Sequence, residues 1–107
     1  MNEIWLIMVM DSHYFKFLHG EAANGKSYSR VVGLLDSETE AVDVVKANVN
    51  QISEGGSNRY AVVYPLAKGL WCGCKDFLRE RWFEYDDSVD AFYEIKTSGR
   101  KLVMLGI

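Results

Sequence analysis

Val32-Gly33-Leu34-Leu35-Asp36-Ser37-Glu38-Thr39-Glu40-Ala41-Val42 is the stretch whose reading decides the fold. Its first four residues close the segment Tyr28 to Leu35, which reads as a strand. Ser37, with Glu40 three residues on, then forms a capping box. In that motif the serine oxygen takes an orphan backbone N–H and the glutamate reaches back to the cap. Acidic residues in this first turn also suit the positive end of a helix dipole. Ala41, Val42, Val45, Val49 and Ile52 recur at the spacing of one buried helix face, and Asp43, Lys46, Asn50 and Gln51 fall largely on the other. The spacing predicts a helix over 37–52, stopped by Ser53-Glu54-Gly55-Gly56-Ser57-Asn58 with Gly55 as a left-handed cap. Valines are mediocre helix formers, so packing against a sheet must hold this helix.

Working outward, the sheet is found on both sides. Ile4 to Met10 is a continuous apolar run of strand length, as a buried central strand requires. Asp11 to Phe17 reads either as a second strand or as one helical turn. Asn24-Gly25, within the loop Gly20–Ser27, is the strongest turn signal in the chain. Beyond the helix, Tyr60 to Leu66 is a strand whose end or edge position is marked by Pro65, because proline cannot donate to a ladder. Ala67 to Glu80 has no clean period. Arg81 to Tyr85 and Phe92 to Lys96 read as a hairpin joined by Asp86–Asp90. Alternation along the two strands groups Phe83, Tyr85, Tyr93 and Ile95 on one face and Trp82, Glu84, Phe92 and Glu94 on the other. The segment Thr97–Ile107 reads as a final strand or a short helix. The expectation is a single α+β domain over 1–107, with an antiparallel or mixed sheet of about five strands and one main helix packed on one face. The opposite face is then left to solvent, to curling of the sheet, or to a partner.

Composition narrows the function classes. A chain of 107 residues is one domain of ordinary size, since domains commonly hold ~100–150 residues. Its 49% hydrophobic content supports a core and excludes a disordered chain. The net charge of −3 provides no basic footprint for non-specific nucleic-acid binding, and it is too mild for a polyanionic mimic of DNA. Lys68, Lys75, Arg79 and Arg81 do lie among Trp71, Phe77 and Trp82, but the overall acidity favours cations snorkelling around core aromatics. Met1–Met10 lacks the basic start and cleavage site of a signal peptide. No run reaches the ~20 apolar residues of a membrane span. A cytoplasmic protein with no membrane partner is the expectation.

Several short motifs together carry a resemblance. These are Ile4-Trp5, the Val32–Ala41 junction, Tyr60-Ala61-Val62-Val63, Gly69-Leu70-Trp71, Trp82-Phe83-Glu84-Tyr85-Asp86 and Tyr93-Glu94-Ile95. In this combination the chain resembles short uncharacterised proteins of bacteriophages and mobile elements. The resemblance implies an α+β fold and an accessory role in propagation, such as inhibition of a host protein by steric occlusion. It implies no catalytic residues.

Residue chemistry points the same way. No nucleophile elbow or phosphate-cradling glycine loop is present, and carboxylates such as Glu84, Asp86, Asp87 and Glu94 mark a turn and a solvated face. We therefore expect no enzymatic activity and no cofactor. Aromatic and arginine residues dominate protein-binding hot spots. Leu70, Trp71, Arg79, Arg81 and Trp82, in and beside the segment without a period, are the expected binding residues, with a host protein or a second copy in a homodimer as partner. The alternative is a metal- or small-ligand-binding domain. There Cys72 and Cys74 would join His13 and His19 in a tetrahedral zinc site, although Cys-x-Cys is tighter than the usual zinc spacing.

Overall fold

The computed structural model describes residues 3–12, 29–67 and 80–96. They form an α+β fold, with a five-stranded antiparallel sheet and one main helix. The strands are β1 (Glu3–Met10), β2 (Ser29–Leu35), β3 (Tyr60–Ala67), β4 (Arg81–Asp86) and β5 (Ala91–Ile95), and the helix α1 spans Glu38–Lys46. The spatial order is β2-β1-β3-β4-β5. β1 therefore lies between β2 and β3 and is antiparallel to both, which explains why Trp5 to Met10 are all buried. A strand covered on both faces has no position for a polar side chain, hence the unbroken apolar run.

The link from β2 to β3 carries α1 across β1. Ser37 caps the helix, its Oγ accepting from the Glu40 backbone N–H at 3.1 Å. Ala41, Val42 and Val45 face inward against Trp5, Ile7, Val9, Ala61, Val63, Phe83, Tyr85 and Phe92. The α-helix is shorter than its periodicity implies. It ends at the Ala47 cap, where Asn48 turns left-handed at φ 51°, and the chain continues as two 3₁₀ turns, Val49–Gln51 and Glu54–Gly56. Val49 is consequently 40% exposed rather than on the buried face. Gly55 is left-handed at φ 71°, as a cap would be, but it closes the second 3₁₀ turn instead of the α-helix. Gly56, at φ 101°, has a clearer reason to be glycine. A Cβ there would stand 3.3 Å from both Asp87 Oδ1 and Tyr85 Cε2.

Register explains two further features. β1 and β2 shift between Ile7↔Gly33 and Met8↔Val31, so Val32 is an extra residue in β2. This bulge turns Val32 onto the helix-side core beside Gly33, whose missing side chain leaves room for Ile7. In β3, pairing with β4 stops at Val63↔Arg81, while pairing with β1 runs on through Pro65 to Ala67. β3 is thus a central strand for its first half and, among the described residues, an edge strand where Pro65 sits, the place where a missing N–H is tolerated.

One expectation is corrected. The hairpin register pairs Phe83 with Glu94, Glu84 with Tyr93 and Tyr85 with Phe92. Residues directly opposite share a face, so Phe92 and Glu94 join Phe83 and Tyr85 on the helix side, while Tyr93 and Ile95 join Trp82 and Glu84 on the other. The alternation within each strand holds; the turn, one residue shorter than expected, moves β5 to the opposite phase. The second face of the sheet also carries a core. Leu6, Met8, Met10, Val62, Tyr64 and Trp82 are buried there, with Tyr60, Leu66 and Ile95 packed against them. The Asp11–Phe17 segment beyond Ser12, the Asn24-Gly25 turn, Lys68–Arg79 and the segment from Thr97 lie outside the described residues.

Candidate functional site

Of the five residues expected to bind a partner, Leu70, Trp71 and Arg79 lie outside the described residues, as do Cys72, Cys74, His13 and His19. Among the described residues no group of three or more histidine, cysteine or acidic side chains could hold a metal ion. The remaining two, Arg81 and Trp82, are neighbours in β4 and so point to opposite faces of the sheet.

Arg81 lies on the helix side, where its guanidinium makes a two-pronged pair with Glu94, Nε to Oε2 at 2.9 Å and an η nitrogen to Oε1 at 2.7 Å. A longer contact of 3.6 Å reaches Glu38 at the start of α1. The hydrogen bonds from Arg81 hold the Glu94 carboxyl below the usual range. Arg81 therefore links β4, β5 and α1. Trp82 lies on the second face and is 2% exposed. Its indole N–H donates to Glu80 Oε1 at 2.8 Å. Together they form the most perturbed cluster among the described residues. Burial pushes the Glu80 carboxyl up to about 7, against the lowering effect of the indole hydrogen bond. Burial, with the Glu80 charge second, drives the Tyr64 hydroxyl far above its ordinary range. Glu80 Oε2 and the Tyr64 hydroxyl are buried without a hydrogen-bond partner.

A second polar cluster sits at one end of the helix-side core. Asp90, left-handed at φ 53° in the β4–β5 turn, accepts the Tyr85 hydroxyl at 2.5 Å, Asn48 Nδ2 at 3.1 Å and Gln51 Nε2 at 3.0 Å. The Tyr85 hydrogen bond, and after it those from Gln51 and Asn48, hold the Asp90 carboxyl below its ordinary value. Asn48 is buried and also closes a ring with Ser53: its Nδ2 donates to Ser53 Oγ and its Oδ1 accepts from the Ser53 backbone N–H, each at 2.9 Å. The network pins the 3₁₀ turns to the hairpin. Beside it, Arg59 donates to the Tyr85 carbonyl oxygen at 3.1 Å and pairs with Asp87 at 3.3 Å. The sequence singled out neither Glu80 nor Asn48, and it marked Asp90 only as part of the Asp86–Asp90 turn. The capping pattern gave no sign that Asn48 would leave the helix, and Glu80 stood in a segment without a period.

No family model matches the chain, and neither does any curated protein or solved structure. The local geometry must therefore speak alone. Five large apolar side chains among the described residues depart from the general burial, Val31 (49% exposed), Leu34 (59%), Val49 (40%), Val89 (66%) and Tyr93 (46%); of these, Val31 and Leu34 share a strand. They pair with Met8 and Leu6, which puts both on the second face, on the outermost strand β2. No helix among the described residues is long and apolar enough to cross a membrane.

Proposed function

We propose that this chain is a small non-enzymatic module that binds another protein and acts by occluding part of its surface. The observation that carries this is the exposed Val31 and Leu34 pair on β2, a strand with one sheet neighbour among the described residues. An edge strand offers a row of backbone donors and acceptors, and natural edges are usually blunted by charge. β2 carries one charge, Arg30, in seven residues. An extended segment of a partner adding to this edge would gain backbone hydrogen bonds, with side-chain contacts to Val31 and Leu34 giving selectivity. The resemblance to proteins of phages and mobile elements makes a bacterial host protein the partner class.

The test is a paired one. A doubly substituted chain, Val31→Glu with Leu34→Glu, keeps its fold because both side chains face solvent. Bacterial proteins retained by the unsubstituted chain and lost by the variant, with equal melting temperatures, support the reading. Equal retention by both chains sinks it. Light scattering showing a dimer that the double substitution dissociates would give this edge to a second copy instead of a host protein.

A further inference from the structure

β3 and β4 form a fork on the second face of the sheet. Their pairing ends at Val63↔Arg81, while β3 runs on beside β1 through Tyr64, opposite Leu6. Glu80 is the residue just before β4, and continuing the register Val62↔Trp82 by two residues sets it opposite Tyr64, in the mouth of the fork. Its Oε1 accepts the Trp82 indole N–H at 2.8 Å. Its Oε2 and the Tyr64 hydroxyl are both buried, and among the described residues neither has a hydrogen-bond partner. The two groups are close enough for the charge on Glu80 to act on Tyr64, yet no hydrogen bond joins them. We propose that Glu80 is a proton-operated clasp on this fork. Protonated, it holds the fork closed over Trp82; ionised, it turns out to water and leaves the fork open.

A buried carboxylate needs several donors to offset its charge, and an uncharged carboxyl needs far less. Among the described residues the one donor to Glu80 is the indole. Burial accordingly favours the proton and brings the carboxyl up to about 7, where a small change in pH decides its state. The described groups that face it come from four strands. β3 contributes Tyr64, whose hydroxyl burial holds far above its ordinary range and so protonated throughout. β1 contributes the uncharged Leu6. β4 contributes Trp82 and, two residues on along the same face, Glu84. β5 contributes Ile95, opposite Trp82, and Tyr93, opposite Glu84. Arg81 lies on the other face, committed to Glu94 and Glu38.

Opening disturbs little else. Among the described residues Glu80 belongs to no strand pair, so its departure breaks the indole bond and no rung of the sheet. Arg81 keeps β4 on β5 through its two-pronged pair with Glu94. The change is confined to the fork, where Trp82, 2% exposed in the closed form, gains water at its indole nitrogen. The chain thereby carries an aromatic surface that is withdrawn in acid and presented in base.

The experiment follows the tryptophan indole N–H resonances of the whole chain by NMR from about pH 5 to about pH 9, beside the carbon resonance of the Glu80 carboxyl. The Trp82 signal is assigned by its loss in Trp82→Phe. The expected result is one titration near pH 7 shared by the Glu80 carboxyl and the Trp82 indole, with the Trp5 indole unmoved. At about pH 8 the Trp82 indole proton is expected to exchange with water about tenfold faster than in Glu80→Gln, which keeps an acceptor for the indole and cannot ionise. A Glu80 carboxyl that titrates in the ordinary glutamate range overturns the proposal, and this reading needs no substituted chain. So does a Trp82 titration that persists in Glu80→Gln, or a carboxyl that ionises near pH 7 while Trp82 exchanges no faster than in that variant.

Discussion

Glu80 shows how a single residue sets a pH dependence. Its carboxyl is held at about 7 by burial, well above the ordinary value near 4.5 for glutamate, so the folded state favours the protonated form. The stability associated with that preference is fully present below the unfolded value and is lost as pH rises toward 7. Glu80 is half-buried, and solvent screening reduces the effect to about 1 kcal/mol. Denaturant unfolding at a series of pH values should therefore show stability falling between about pH 4.5 and 7 from this group. Glu80→Gln keeps an acceptor for the Trp82 indole and removes the ionisation. It should flatten that fall and exceed the unsubstituted chain in stability at pH 8. A fall of the same size in Glu80→Gln would assign it to another group. Trp82 reads in the sequence both as a core aromatic and as a binding residue: whether an aromatic in a strand faces core or solvent depends on what covers that face, which the strand does not encode.

At the scale of elements, the connection after α1 departs most from its pattern. Continuing the helix through Val49 and Ile52 would satisfy hydrophobic periodicity, and the periodicity is present. It is outweighed by Asn48, which by turning left-handed gains three hydrogen bonds, to Ser53 twice and to Asp90. Asn48→Ala deletes these, leaves the buried Ser53 N–H without its partner, and puts in a left-handed conformation a residue that lacks asparagine's tolerance of it. Chemical denaturation should show a loss of about 2–4 kcal/mol. Asn48→Gly loses the same bonds but relieves the backbone, so it should be milder by about 1 kcal/mol. If the alanine variant is the more stable of the two, the backbone argument fails. The start of the same helix was legible because a cap is a local event: Ser37 and Glu40 lie three residues apart, and the Ser37 oxygen accepts from the Glu40 backbone N–H. Its end depends on Asp90, 42 residues downstream. The β4–β5 pairing shows the same limit. Alternation within Arg81–Tyr85 could be read residue by residue, yet the phase of β5 hung on one residue in the turn.

Across the whole molecule, protection should follow the strand order. β1 and β3 are each flanked on both sides, whereas β2 and β5 have one neighbour among the described residues. Native-state hydrogen exchange should find the amides of residues 5–9 and 61–63 slowest, by about tenfold or more over those of β2 and β5. Equal rates in edge and interior strands would refute this order. The five strands and the helix were all readable as segments, because each carries its own periodicity. Their arrangement was not, since the pattern of Ile4–Met10 says that both faces are buried but not which strands lie alongside. That β1 sits between β2 and β3 has a consequence for biosynthesis. An apolar strand made early waits for both of its neighbours. β2 must be synthesised before one side of β1 is paired, and the other stays open until Ala67 has been added. During that interval Ile4–Met10 is an unpaired, charge-free segment on the ribosome, the kind of sequence that holdase chaperones cover and that aggregates when they are scarce. Slower elongation over residues 11–67 would lengthen that exposure, and faster elongation would shorten it.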